Sequence, residues 1–147
     1  MFKFQGSGFS LQVPEDCIDA SAYTFVLPEN GGYSPNLTIR FERVEGKPDL
    51  NEYVEGQMSN LSSNVEDFKL ISKASGKRGQ WDGVMSVCEW GEGAMRMQQK
   101  QVYLLVEGKP SRIYIATTTD LSSQAKQSNP IFDQILRSFS PNDIQVI

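Results

Sequence analysis

Chemistry in this chain has few places to come from. No histidine occurs anywhere, so a histidine general base, a histidine-based triad and histidine metal ligands are all excluded. Cys17 and Cys88 are too far apart for a metal-binding pair. Cys88 falls in a strand-like stretch where a small apolar side chain is the simpler reading. The carboxylates are scattered over loops and over residues 49–63, which gives no support for a paired-acid site. Gly91-Glu92-Gly93 lacks the lysine and the strand-turn-helix setting of a phosphate loop and reads as a hairpin turn. Asn36-Leu37-Thr38 and Asn60-Leu61-Ser62 fit a glycosylation acceptor, a pattern that matters only in a secreted chain. The expectation is a protein that is not an enzyme and holds no cofactor and no metal.

What remains is binding chemistry, concentrated in residues 94–107. Met95, Met97, Gln99, Gln101, Tyr103 and Leu105 alternate there with Arg96, Gln98, Lys100, Val102, Leu104 and Val106. Such alternation puts each set on one face of a strand. From Val102 onward both faces are apolar and each needs a cover. Only two helices are expected, and two helices can cover one face. Either the face bearing Met95, Met97, Gln99 and Gln101 is left for a partner, or both faces are core near one end of the sheet.

The elements that must position this strand follow from periodicity and punctuation. Residues 81–90, 94–107 and 111–119 read as three long strands joined by Gly91-Glu92-Gly93 and Gly108-Lys109-Pro110. Ahead of them, residues 2–5 and 8–13 read as a hairpin turning at Gly6-Ser7-Gly8, residues 22–27 as a strand closed by Pro28, and residues 36–44 as a half-buried strand. Asp49 can cap a helix over residues 49–63 whose Leu50, Tyr53, Val54, Met58 and Leu61 recur at helical spacing. Residues 68–75 form a further strand. Asp120 can start a short helical turn, and Asn129-Pro130 suits the entry to a last helix with apolar Ile131, Phe132, Ile135, Leu136 and Phe139, ended by Pro141.

At 147 residues the chain is one domain, 1–147, large enough to bury about two thirds of its unfolded surface unaided. Its 39% hydrophobic and 22% charged residues are ordinary for a folded chain and argue against disorder. A net charge of -4, with no basic run, disfavours nucleic acid as a partner. The opening Met1-Phe2-Lys3-Phe4-Gln5-Gly6 carries no secretory signal, and no apolar run approaches about 18 residues, so direct membrane insertion is not expected. The expected location is the cytoplasm, with both cysteines as thiols.

Phe9-Ser10-Leu11-Gln12-Val13-Pro14 near one end and Ile131-Phe132-Asp133-Gln134-Ile135-Leu136-Arg137-Ser138-Phe139 near the other resemble the DcrB-like domains of the broader PsbP-like fold. Gln101-Val102-Tyr103 and Ile115-Ala116-Thr117-Thr118-Thr119 fit the same spacing. The resemblance implies an α+β single domain, a strongly twisted antiparallel β-sheet with two main helices and a concave open sheet face. Within that family the chain is most similar to the Eag chaperones, which serve type VI secretion effectors. This implies a homodimer whose open face binds and shields the hydrophobic N-terminal transmembrane helices of a PAAR-containing effector before export. Matched position by position, the Eag pattern falls on Gln57, Val65, Met97 and Gln101, with Ala22 and Thr24 on a neighbouring strand and Met95 and Gln99 in the same alternating row. Larger aliphatic residues are expected in the family at Ala22 and Thr24. The alternative is a DcrB-like binding module for an unrelated protein.

Overall fold

Strand pairing begins from the stretch that the alternation singles out. The computed structural model describes residues 1–141. In chain order its elements are β1 (Phe2–Gln5), β2 (Ser10–Val13), β3 (Ala22–Val26), β4 (Asn36–Val44), α1 (Leu50–Asn64), β5 (Lys69–Arg78), β6 (Trp81–Trp90), β7 (Met97–Val106), β8 (Ser111–Leu121) and α2 (Ala125–Ser138). β7 lies inside a six-stranded antiparallel sheet of order β3-β4-β8-β7-β6-β5, and β1 and β2 pair only with each other. The fold is the α+β single domain with a largely antiparallel sheet and two helices that the sequence implies.

The two helices sit on opposite faces of the sheet instead of sharing one. The buried stripe of α1, Leu50, Val54 and Met58, packs on Val84, Tyr103, Leu105, Ile113 and Ile115. The stripe of α2, Phe132 and Leu136, packs on Leu37 and Ala116. Each large apolar side chain so buried contributes roughly 1.5–3 kcal/mol. Tyr103 and Leu105 are buried under α1, Val102 packs against the α2 core, and Leu104 and Val106 are buried as well. This end of β7 is core on both faces, and α1 rather than a partner closes the Tyr103 side.

Local chemistry sets the element ends. Asp49 caps α1 by accepting hydrogen bonds from the N–H groups of Asn51 at 3.0 Å and Glu52 at 3.2 Å. α2 starts before Asn129-Pro130 and carries Pro130 within it. Its entry is fixed by Asp120, which lies at the end of β8 and starts no helical turn of its own. The buried Asp120 carboxylate accepts from Ser128 Oγ at 2.6 Å and from the Leu121 N–H at 2.7 Å. That pair holds the first turn of α2 to the sheet and outweighs the signal at Asn129-Pro130. β5 runs three residues beyond the expected Ser75, through Gly76, because β6 pairs with it as far as Arg78↔Trp81.

A hydroxyl and amide face beside the first helix

Residues directly opposite one another on neighbouring strands point to the same face. Through β7 the register places Met97 against Trp90 and Leu121, Gln99 against Cys88 and Thr119, and Gln101 against Ser86 and Thr117. Outward from β8 it continues through Thr38↔Thr117 to Thr24↔Thr38, and Ala22 pairs with Arg40. Ala22, Thr24, Met97, Gln99 and Gln101 therefore share one face, with α1 crossing its Tyr103 end. On α1, Gln57 turns toward it, and its side-chain oxygen lies 3.5 Å from Arg40 Nη2.

Gln101 is not a free ligand of this face. It is only 8% exposed, and its side chain is held from several sides. Gln101 Oε1 accepts from Ser86 Oγ at 3.0 Å and from the Tyr103 hydroxyl at 3.3 Å, while its Nε2 donates to Gln99 Oε1 at 2.7 Å. An amide with its own donors and acceptors satisfied can be buried without the cost of a bare polar group. Gln99, half-buried, passes the network toward solvent. Thr24 Oγ1 and Thr38 Oγ1 lie 3.0 Å apart and share a hydrogen bond on the outer strands. The part of this face that α1 does not cover thus carries hydroxyls and amides, with Met97, Trp90 and Leu121 together at its rim.

Charge enters this face at its two edges: on β5 Lys73, opposite Ser86, lies 3.7 Å from Glu55 of α1, and a second cluster stands where α1 meets β4. Arg40 Nη1 lies 2.6 Å from Glu42 Oε1, and the Tyr53 hydroxyl donates to Glu42 Oε2 at 2.5 Å. Burial raises the Glu42 pKa, but hydrogen bonds from Tyr53 and Arg40 and the Arg40 charge outweigh it and hold the carboxyl below its ordinary value. Burial, with the hydrogen bond to Glu42, pushes the Tyr53 phenol up. Burial likewise pushes Tyr103 up to about 12 and Cys88, helped by the Glu89 charge, up to about 11. Cys88 is fully buried and stays an inert thiol.

Two expected site residues stand apart. Val65 is the residue following α1, half-buried, beside Glu66, whose carbonyl accepts from the Gly91 N–H at 2.8 Å. Met95 is not on the strand. It belongs to a short 3-10 turn, Gly93–Met95, and is 67% exposed. Gly91 and Gly93 take φ of 85° and 60°, a backbone region glycine enters without steric cost. Arg96 Nη1 ties this turn down through the Gly91 carbonyl at 2.7 Å, so β7 starts at Met97 and the row loses its first methionine. Reasoning from sequence also missed Thr38, Thr117 and Thr119. Alternation within Thr117-Thr118-Thr119 was the available signal, since it places the outer two threonines on the Gln101 side.

On the other face lies an open surface of different character. Beyond the end of α2, a cavity of about 240 Å³ runs between Ile39, Val102, Leu104, Tyr114, Leu136 and Phe139. It adjoins a second of about 430 Å³ that shares Ile39, Tyr114 and Phe139 and adds Tyr23, Phe25 and Phe41. This groove is aromatic and aliphatic throughout most of its length.

The family model for DcrB matches residues 9–138, which is most of the chain. The chain belongs to the DcrB family. No curated protein matches the sequence. Among solved structures, the DcrB domain is similar to the protein of unknown function PA94 from Pseudomonas aeruginosa, with a TM-score of 0.79 and 21% identity over 98% of this chain and 99% of that one. It is also similar to LpqN of Mycobacterium tuberculosis, a protein involved in cell envelope biogenesis, with a TM-score of 0.56 and 10% identity over 80% of this chain and 82% of that one. Cyanobacterial PsbP from Synechocystis sp. PCC 6803 gives a TM-score of 0.53 and 10% identity over 89% of this chain and 98% of that one. At such identities the likeness establishes the PsbP-like fold. No helix among the described residues is long and apolar enough to cross a membrane.

Proposed function

We propose that this DcrB domain is a cytoplasmic chaperone or adaptor, without enzymatic activity, that shields the N-terminal transmembrane helices of a PAAR-containing type VI secretion effector before export. The observation that carries the reading is the half-open face on which Thr24, Thr38, Thr117, Gln99 and the ordered Gln101 amide stand together with Met97 beside α1. A helix taken out of a membrane needs its apolar surface covered and its few polar groups paired. Methionine at the rim conforms to varied apolar side chains. The hydroxyls and amides offer donors and acceptors without a charge that an apolar helix could not neutralise. Lengths also agree, since a strand of about ten residues spans roughly 33 Å and a helix of about 20 residues roughly 30 Å.

Gln99 and Thr24 are the groups that would meet the helix. Gln101 acts through Gln99 and holds its amide in place, so its role is positioning. Co-expression with an effector fragment containing the hydrophobic segments tests the reading. The expected result is a soluble complex that is lost when those segments are deleted. Equal solubility of the fragment with and without the DcrB domain would end the proposal, and a complex that survives deletion would point to a DcrB module with an unrelated partner.

A further inference from the structure

On the α2 side an apolar cleft opens into a basic one. The floor of the apolar cleft follows a single register row, in which Gly76 of β5 lies opposite Gly83 of β6, Gly83 opposite Leu104 of β7, Leu104 opposite Tyr114 of β8, and Tyr114 opposite Phe41 of β4. Four strand spacings make this row roughly 19 Å long. Leu136 and Phe139 of α2 stand over its middle. At the β5 end the facing glycines leave the floor without side chains, and a Cβ placed on Gly76 would meet no atom within 4 Å.

The basic cavity, of about 530 Å³, shares Lys77, Arg78 and Met85 with that end of the cleft and adds Lys100, Asp133 and Arg137. Lys100 holds Asp133 at 2.5 Å and Lys77 holds Asp82 at 3.4 Å. Arg78 and Arg137 have no carboxylate within 4 Å among the described residues. Arg78 donates to the carbonyls of Leu136 and Arg137, each at 2.7 Å, and of Phe139. It thereby offsets the negative end of the α2 dipole where an anion would meet it. Four cations against two carboxylates leave the mouth positive, on a chain whose net charge is -4.

We propose that this cleft binds a long-chain fatty acid, its acyl chain laid along the row from Gly76 toward Phe41 beneath α2 and its carboxylate held at Arg137 and Lys77. A single acyl chain asks nothing of walls that are almost wholly apolar, whereas a peptide strand would bring in backbone N–H and C=O groups that find no partner there. The carboxylate supplies the charge that the mouth lacks, in the geometry a guanidinium pairs with best. The site lies on the opposite side of the sheet from Gln99 and Gln101 and does not depend on what that face binds.

Isothermal titration calorimetry of the full chain with tetradecanoate, kept below micelle formation, tests this. One equivalent is expected to bind with a micromolar dissociation constant. Octanoate should bind roughly tenfold or more weaker, because each buried methylene is worth about fourfold in affinity. Tetradecyltrimethylammonium, with the same chain and the opposite charge, should also bind about tenfold weaker, and Arg137→Glu should narrow that gap. Gly76→Leu fills the floor and should melt no lower than the parent, since glycine inside a strand weakens it, yet it should lose about tenfold or more in affinity for tetradecanoate. Should it melt lower, Met85→Glu, 39% exposed on the same floor, repeats that arm of the test. No saturable binding of tetradecanoate, equal affinity for the two charges, a gap between them unchanged by Arg137→Glu, or parent-like binding by a folded floor variant would overturn the proposal.

Discussion

The half of the α1 face that stays open is built mostly of hydroxyls and amides, with Met97 and Trp90 at its rim, whereas the half of the α2 face that stays open is built mostly of aromatic rings. Both belong to the same strands. On β8, Thr117 and Thr119 point toward α1, while Tyr114 joins Ile39 and Phe41 of β4 on the other side. An uncovered hydroxyl is satisfied by water, but an uncovered ring forgoes roughly 25 cal/mol for every Å² that could be buried. The first surface suits a partner that comes and goes. The second suits a cover that remains.

The closed and open halves of the α1 face should respond very differently to truncation. Tyr103→Ala removes a fully buried ring from the α1 core and should destabilise the fold by about 3–5 kcal/mol in a denaturant titration. Thr117→Ala, in the open half, should stay within about 0.5 kcal/mol of the parent. Similar losses for the two would show that α1 covers more of the face than its packing indicates.

Ser128→Ala tests what anchors the second helix. It strips the buried Asp120 carboxylate of a donor at 2.6 Å and should cost roughly 1–3 kcal/mol. Hydrogen exchange of the first turn of α2 should rise more than that of its C-terminal half. Asp49→Ala removes the cap of α1 and should cost about 1 kcal/mol, read as a lower melting temperature with α1 opening first.

The smallest expected effect concerns Glu42. Its folded pKa lies below the ordinary carboxylate value, so its contribution is present above that value and is lost as pH falls through the folded pKa. Because the side chain is 41% exposed, solvent screening keeps the contribution modest. Glu42→Gln should therefore melt slightly below the parent near neutral pH, and the two melting curves should converge in acid. A gap that widens on acidification would mean that Glu42 stabilises nothing through its charge.

Much of the sheet was legible because strand alternation and glycine punctuation are local signals. β4 and β6 begin and end where periodicity puts them, and Asp49 marks the start of α1. The placement of the two helices was not legible, since amphipathicity states which side of a helix is apolar but not which face of the sheet receives it. The entry of α2 was missed because Ser128 and Asp120 are brought together by the end of β8, a contact without a local pattern. Gln101 showed a similar limit. Its alternation identified its face correctly, but its burial comes from Ser86 and Tyr103, which only register places beside it. Met95 was lost from the row by the turn that Arg96 locks.

The central claim is that the row at Met97 and Gln99 is a binding face rather than core. Met97→Asp tests it most directly, with thermal melting and effector pull-down on the same purified sample. Met97 is half-buried at the end of β7 that α1 does not close. A carboxylate there should leave the melting temperature within a few degrees of the parent and abolish capture of the hydrophobic segment, because an unpaired charge pressed against an apolar helix costs several kcal/mol. A variant that melts far below the parent, or one that folds and still captures the segment as the parent does, would contradict the account.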